Sequence, residues 1–166
     1  MLIKTGVPEG SDINTVKPSS KRLSEGPVAI LECFQEIPCN PCATFCPTNA
    51  ITFDNINSLP KLDESKCTGC SICVSVCPGL AIFVIDETYS DKEAIIKIPY
   101  EYLPIPDVDS TVNVTDRTGK IVGTGRILKV SNINKKDRSI VISIVIPKEL
   151  SMIVRGFKQI KEQSKG

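Results

Sequence analysis

The chain has 166 residues, with 20 basic and 19 acidic side chains, so its formal net charge is +1. This length allows one or two small domains. The sequence contains no histidine, which excludes Rieske-type clusters, the common histidine-containing zinc sites and histidine-based acid–base catalysis.

Residues 1–25 are rich in glycine, proline, serine and lysine, a composition that predicts an extended arm or linker. Such an arm either wraps a partner or is a disordered tail. The first residues lack the long apolar core of a secretory signal. No stretch of the chain approaches the roughly 20 apolar residues of a membrane span. We therefore expect a cytoplasmic protein without a transmembrane segment.

Residues 28–31, Val-Ala-Ile-Leu, predict a first strand that leads into two sets of cysteines, and both sets end in Cys-Pro. The spacing of the first set is C-x5-C-x2-C-x3-C-P, and that of the second is C-x2-C-x2-C-x3-C-P. The first set consists of Cys33, Cys39, Cys42 and Cys46, followed by Pro47. The second set consists of Cys67, Cys70, Cys73 and Cys77, followed by Pro78.

The two sets are offset by 31 residues, and the offset extends beyond the cysteines. Ala50-Ile51 follows the first Cys-Pro at the same distance as Ala81-Ile82 follows the second. The repeat therefore indicates a duplicated unit. Residues 82–85, Ile-Phe-Val-Ile, predict the strand that closes it.

Disulfides and zinc are the competing explanations for eight cysteines. A disulfide framework needs an oxidising compartment, which the missing secretory signal does not suggest. Zinc ribbons use paired Cys-x2-Cys units, and do not need three closely spaced cysteines and a Cys-Pro twice over. The spacing of the second set is instead typical of iron–sulfur proteins.

On these motifs, residues Gly26 to Asp86 resemble the bacterial-type dicluster ferredoxin family. The resemblance implies two [4Fe–4S] clusters, with the fourth cysteine of each set ligating the cluster of the other set. The implied ligands of cluster A are Cys67, Cys70, Cys73 and the crossing Cys46. The implied ligands of cluster B are Cys33, Cys39, Cys42 and the crossing Cys77.

The first set departs from the family pattern at one position. Three residues before Cys39, where the family has its first cysteine, this chain has Glu36. We expect Cys33 to replace the missing ligand on a longer loop. Two alternatives remain open: Cys33 is a free thiol beside a three-iron cluster, or Glu36 is an oxygen ligand.

Residues 91–166 differ from the cysteine-rich part in charge and in pattern. Residues 26–90 have seven acidic and two basic side chains, whereas residues 91–166 have nine acidic and fourteen basic ones. Strands are predicted over residues 94–98, 111–115, 120–131 and 139–146, with a turn at 132–137. Gly123 and Gly125 within the third strand suggest the corner of a small barrel.

We therefore predict an α+β protein with three parts: an N-terminal arm (1–25), a ferredoxin-like dicluster domain (26–90) and a small β-barrel-like docking domain (91–166). Phe157 is the only aromatic residue in the last fifty, so aromatic platforms on which nucleic-acid bases stack are missing there, and we expect no nucleic-acid partner.

The predicted function is one-electron transfer, and no catalytic constellation suggests an enzyme acting by itself. Residues 32–42 are similar to the ferredoxin-type subunits that accompany FAD-dependent proline, hydroxyproline or sarcosine dehydrogenases in anaerobes and archaea. That similarity implies flavin-bearing partner subunits. The alternatives are a freestanding ferredoxin-type carrier, or a zinc or structural cysteine-cluster module for protein interaction.

Overall fold

A computed structural model describes residues 2–133 and 139–160 of the chain. The short α-helices of these residues all precede residue 77: α1 Leu2–Thr5, α2 Gly10–Val16, α3 Ser20–Leu23, α4 Pro41–Thr44 and α5 Ile72–Val76. The strands of the first half are β1 Val28–Leu31, β2 Ile51–Thr52, β3 Lys61–Leu62 and β4 Ile82–Asp86. Those of the second half are β5 Glu93–Tyr100, β6 Thr111–Thr115, β7 Ile121–Asn132, β8 Ile140–Pro147 and β9 Gly156–Gln159.

Seven of these strands form one antiparallel sheet in the order β1-β4-β5-β8-β7-β6-β9. The remaining two, β2 and β3, pair with each other. Strand β8 lies in the middle of the sheet and is buried over most of its length. Its run of isoleucine and valine, interrupted only by Ser143, is the pattern expected of a strand that is mostly covered on both faces.

The two faces of the sheet pack into different cores. On β4, Ile82 and Val84 pack with the buried cysteines Cys42 and Cys73. Phe83, which points to the opposite face, belongs to the core formed by strands β5 to β8. This alternation follows from the two-residue period of a strand. One strand therefore carries both the cysteine-rich core and the core of the second half.

The strands predicted from the sequence are confirmed within a few residues at their ends. One differs in length: β5 continues through Pro99 to Tyr100 instead of stopping before the proline. The pairing of β5 with β4 ends at Lys97, so no β4 residue pairs with Pro99. A proline is tolerated where that side of the strand is unpaired, because it has no N–H to donate. Most of the predicted turn at 132–137 lies outside the described residues.

The mixed helix-and-sheet class is confirmed, but the barrel prediction was wrong. In the described part of the chain the sheet is open, with β1 and β9 at its two edges. Strand β5 pairs with β4, so the sheet continues from the cysteine-rich half into the second half. Gly125 allows β7 to approach β8 closely, since a Cβ there would lie 2.7 Å from Ile144 Cγ2. The glycine serves this close approach and does not turn the corner of a closed barrel.

The N-terminal segment also differs from the extended arm that we expected, because it contains three short helices. At its end Arg22 is buried, with 8% of its surface exposed. Its guanidinium donates to the carbonyl oxygens of Gly26, Pro27, Glu64 and Cys67. The segment is thereby fixed to the loop that begins the second cysteine set.

A buried charge network links the two halves at the end of β1. The carboxylate of Glu32 accepts hydrogen bonds from Arg117 and from Arg155 Nε, the latter at 2.7 Å. The side chains of Glu32 and Arg155 are only 7% and 3% exposed. Burial raises the pKa of Glu32, but its hydrogen bond to Arg117 and the charge of Arg155 outweigh burial and lower that pKa overall. The stabilisation that Glu32 contributes is therefore complete above its ordinary pKa of 4.5 and is lost as the pH falls through the lower folded value.

Glu32→Gln should destabilise the protein strongly, because it leaves the buried Arg155 and the mostly buried Arg117 without their counter-charge. We expect a loss of about 3 kcal/mol, or about 6–12 °C in the midpoint of thermal unfolding. Anaerobic thermal denaturation followed by circular dichroism measures this midpoint. The control is Asp54→Asn, which breaks an exposed ion pair with Lys61 and should cost less than about 1 kcal/mol. Equal effects of the two substitutions would contradict a structural role for the network.

Candidate metal centres

The eight cysteines line two separate cavities, four to each. Cavity A is lined by Cys46, Cys67, Cys70 and Cys73. Cavity B is lined by Cys33, Cys39, Cys42 and Cys77. The structure thus groups the cysteines into the two sets of four that were predicted for clusters A and B. Iron ligation by each sulfur stays a prediction.

The pairing of β1 with β4 explains how Cys33 reaches cavity B. Leu31 lies opposite Ile82 in this pair, and the amide of Glu32 donates to Ala81 O at 2.8 Å. Cys33, just beyond β1, is therefore held near Cys77, which precedes β4. The longer spacing of the first set is compatible with cavity B because the sheet, and not the short loop, positions its first cysteine.

Helices α4 and α5 explain why the fourth cysteine of each set lies at the other cavity. They pack against each other, and each carries one buried cysteine, Cys42 on α4 and Cys73 on α5. The chain leaves the end of each helix at Cys46 or Cys77. Because each helix leads away from the cavity of its own loop, these last cysteines meet the opposite set.

The same turn follows each Cys-Pro. The amide of Ala50 donates to Cys46 Sγ at 3.3 Å, and the amide of Ala81 donates to Cys77 Sγ at 3.4 Å. The residue before each alanine has a positive φ, which directs the alanine amide back onto the sulfur. These residues are Asn49 (φ 51°) and Leu80 (φ 52°). The 31-residue repeat of Ala-Ile therefore reflects a repeated amide–sulfur hydrogen bond.

The thiols within each cavity raise one another's pKa. Burial, followed by the charges of Cys67, Cys70 and Cys46, raises the pKa of Cys73 to about 12. Burial also raises the pKa of Cys42 to about 11, and the charges of Cys77, Cys39 and Cys33 add to it. Four thiols this close together lose their protons only if a strongly positive group lies between them. A bound metal is such a group, and it deprotonates the thiols that coordinate it.

Cys46 behaves differently from the other crowded thiols. Burial raises its pKa, but the amides of Thr48, Ala50 and Ile51 outweigh burial, so the pKa of Cys46 is lowered. The turn after the crossing cysteine therefore favours the thiolate, which is the form that binds metal.

Single zinc ions are the alternative to a polynuclear cluster at these cysteines. A tetrahedral zinc with Zn–S bonds of about 2.3 Å needs sulfurs within about 4 Å of one another. Across residues 2–133 and 139–160, which include every cysteine, no group of three or more Cys, Asp or Glu side chains is close enough to hold one metal ion. A [4Fe–4S] cluster instead places an iron in front of each of four thiolates.

Other residues bear on the candidate ligands. Glu36, the alternative oxygen ligand, is exposed and is not among the residues that line cavity B, whereas Cys33 is. Two contacts could not be found from the sequence, because they come from distant elements. Arg22 donates to Cys67 O, and Lys97 Nζ lies 3.2 Å from Gly69 O.

Residues 37–81 match the family described as "4Fe-4S dicluster domain". The matched stretch contains seven of the eight cysteines and leaves Cys33 outside. The protein therefore contains a dicluster region of ferredoxin type and carries two [4Fe–4S] clusters.

Curated relatives share this region. The chain is 41% identical over 44 residues to the polyferredoxin-like subunit of aliphatic sulfonate oxidoreductase from Pyrococcus furiosus, covering 26% of this chain and 25% of that protein. It is 42% identical over 38 residues to the thiosulfate reductase electron transfer subunit PhsB of Salmonella typhi, covering 23% and 19%. It is 41% identical over 51 residues to the pyruvate synthase subunit PorD of Methanocaldococcus jannaschii, covering 31% and 58%. The chain thus spans less than two thirds of each of these relatives.

No solved structure matches the chain. Among the described residues, no helix is long and apolar enough to cross a membrane.

A substitution at Gly69 tests whether the loop of cavity A depends on the backbone conformation of this glycine. It has φ +64°, and a Cβ there would lie 2.5 Å from Pro27 Cβ. Gly119 also has a positive φ, +81°, but a Cβ there meets nothing within 4 Å. Gly69→Ala should therefore displace the Cys67–Cys70 loop, whereas Gly119→Ala should cost only about 1 kcal/mol of backbone strain.

Iron and acid-labile sulfide, measured on anaerobically purified protein, distinguish the two variants. The wild type and Gly119→Ala should contain about eight of each per chain, and Gly69→Ala about four. A full complement in Gly69→Ala would contradict the close approach of Gly69 to Pro27.

Proposed function

We propose that the chain is the electron-transfer subunit of a larger oxidoreductase and passes electrons one at a time to or from a flavin-bearing partner. The observation that carries this proposal is the grouping of eight cysteines into two neighbouring sets of four. Each cluster supplies a site for one electron, so two clusters can take the pair that a reduced flavin delivers.

The ligands that we propose are those implied by the dicluster pattern. Cluster A takes Cys46, Cys67, Cys70 and Cys73, and cluster B takes Cys33, Cys39, Cys42 and Cys77. The four cysteines that line each cavity support this assignment. The mutual effects on thiol pKa fall within the same two sets, which supports it further.

The remaining contribution of the chain is to set the reduction potential. Amides of Ala29, Ala50 and Ala81 donate to the sulfurs of Cys67, Cys46 and Cys77 at 3.3–3.4 Å. These hydrogen bonds stabilise negative charge on sulfur and so favour the reduced form.

Exposed apolar side chains near cavity B favour a subunit over a freestanding carrier. Ile37 lines this cavity and is exposed. Ile56, whose carbonyl accepts from the amide of Cys39, and Leu59 are exposed as well. An apolar surface beside a redox centre is the kind of surface that a partner subunit covers.

The kind of partner is proposed from the sequence. Residues 32–42 are similar to subunits of FAD-dependent proline, hydroxyproline or sarcosine dehydrogenases. The relatives named as subunits of oxidoreductases agree with an assembled role. A docking role for residues 91–166, the boundaries at residues 25 and 90, and a cytoplasmic location stay predictions.

The crossing ligands can be tested by comparing alanine variants by electron paramagnetic resonance of the reduced protein. If Cys46 serves cluster A, Cys46→Ala should show the same altered signal as Cys70→Ala and leave the cluster B signal intact. Cys33→Ala should convert only cluster B to a three-iron form. A Cys46→Ala spectrum that matches Cys42→Ala would refute the crossover, and two intact clusters in Cys33→Ala would exclude Cys33 as a ligand.

The partner surface can be tested with two double variants. Ile56→Glu/Leu59→Glu should reduce the flavin-containing protein that copurifies from the native host by about tenfold or more, since buried charges at an interface are costly. The control Ile121→Glu/Ile153→Glu changes two exposed isoleucines elsewhere and should have no effect. Flavin is measured by fluorescence after denaturation, and iron content confirms that both variants are loaded. Equal recovery with both double variants would contradict this surface.

A further inference from the structure

A groove of about 620 Å³ lies beside cavity A, on the face of the sheet formed by β5, β8 and β7. Cys70 and Ser71 form its wall on the side of the cysteine loop. Its floor includes Lys97, Ser143 and Lys129, which lie in one row across the three strands. At the usual strand spacing the two lysines start about 10 Å apart.

The groove is positively charged. None of the described residues that line it is acidic. Lys97 is half-buried, and its ammonium group is held against the cysteine loop by Gly69 O. Lys129 is exposed. Asp86 on β4 acts on Lys97 from outside the lining and offsets part of its charge. Two cations spread over three strands suit an extended acidic segment better than a single small anion.

The groove also leads to the most exposed cysteine of the candidate centres. Of the eight cysteines, Cys70 alone is exposed, while the others are half-buried or buried. Because electron tunnelling falls off exponentially with distance, a partner seated in this groove would have the shortest path to cluster A. The surface around cavity B is apolar by contrast, so the two centres face different surroundings.

We propose that this groove, with Lys97 and Lys129, is the docking site for an acidic segment of the protein that exchanges electrons with cluster A. The inference rests on the proposed function and adds the surface and the charge of the partner. In each exchange cluster A loses one electron and the one-electron centre of the partner gains it, or the reverse. Attraction between opposite charges speeds such an encounter and weakens as salt is added.

The test uses the full chain with both clusters and two outer-sphere oxidants of opposite charge. The reduced protein is mixed with anionic ferricyanide or with cationic hexaammineruthenium(III), and the recovery of visible cluster absorbance on one-electron oxidation is followed by stopped flow at low salt. The quantity compared is the ratio of the two rates. A change in cluster potential moves both rates in the same direction, so it largely cancels in this ratio.

Lys97→Met/Lys129→Met should lower the ratio of the ferricyanide rate to the ruthenium rate about fivefold or more, because the electrostatic potential near Cys70 becomes less positive. The control Lys120→Met/Lys158→Met removes the same charge from two exposed positions away from the groove and should change it little. Lys129→Glu alone should act in the same direction, and it leaves the contact between Lys97 and Gly69 intact. Equal ratios for both double variants would overturn the proposal.

Poly-L-glutamate distinguishes an acidic polypeptide from small anions. It should slow oxidation of the wild type and of the control by ferricyanide, and should not slow oxidation of Lys97→Met/Lys129→Met. If it protects none of them, the groove attracts only small anions and the docking proposal is overturned. If Lys97→Met/Lys129→Met holds both clusters and its rate ratio is unchanged, the groove proposal is refuted and the proposed function is not. Absence of the clusters refutes the proposed function, and the groove proposal with it.

Discussion

The antiparallel pairing of β1 with β4 is the contact on which both candidate centres depend. It joins the strand that precedes the first cysteine set to the strand that follows the second. Cys33 and Cys77 are thereby held at one cavity, although 44 positions separate them in the sequence. The carboxylate of Glu32, held by Arg117 and Arg155, fixes the end of β1 where the chain turns toward Cys33. The C-terminal half thus helps to hold a cysteine that it does not itself provide.

Cations from outside the cysteine motifs reach the loop of the second cysteine set. Arg22, from the N-terminal segment, donates to Cys67 O, and Lys97, from β5, donates to Gly69 O. Arg155 is buried beside Glu32, and burial lowers its pKa to about 10. A cluster gains negative charge when it is reduced, so nearby positive charge favours reduction. We therefore expect the potentials to depend on residues outside the cysteine motifs as well as on the ligands.

The sequence predicted the centres better than it predicted the fold around them. Cysteine spacing is a local signal that carried the resemblance to dicluster ferredoxins, and that resemblance implied the two groups of four. The apolar runs at residues 28–31 and 82–85 predicted β1 and β4. The open sheet could not be predicted, because the periodicity of the strand that contains Gly123 and Gly125 shows that a strand forms but not which strands pair with it. The pairing of β4 with β5 depends on how the two halves of the chain pack together, which the pattern of a single strand does not show. The contacts of Arg22 and Lys97 likewise join residues that are distant in the sequence. The helices of residues 2–25 were missed. The third of them is fixed by hydrogen bonds from Arg22 to distant backbone carbonyls, which the sequence does not show.

Anomalous diffraction at the iron edge, from crystals grown without oxygen, tests the account most directly. Two separate four-iron clusters should appear, one bonded to Cys46, Cys67, Cys70 and Cys73 and the other to Cys33, Cys39, Cys42 and Cys77. A three-iron cluster with the Cys33 sulfur turned away, Glu36 bonded in its place, or all four cysteines of one set bound to the same cluster would contradict it.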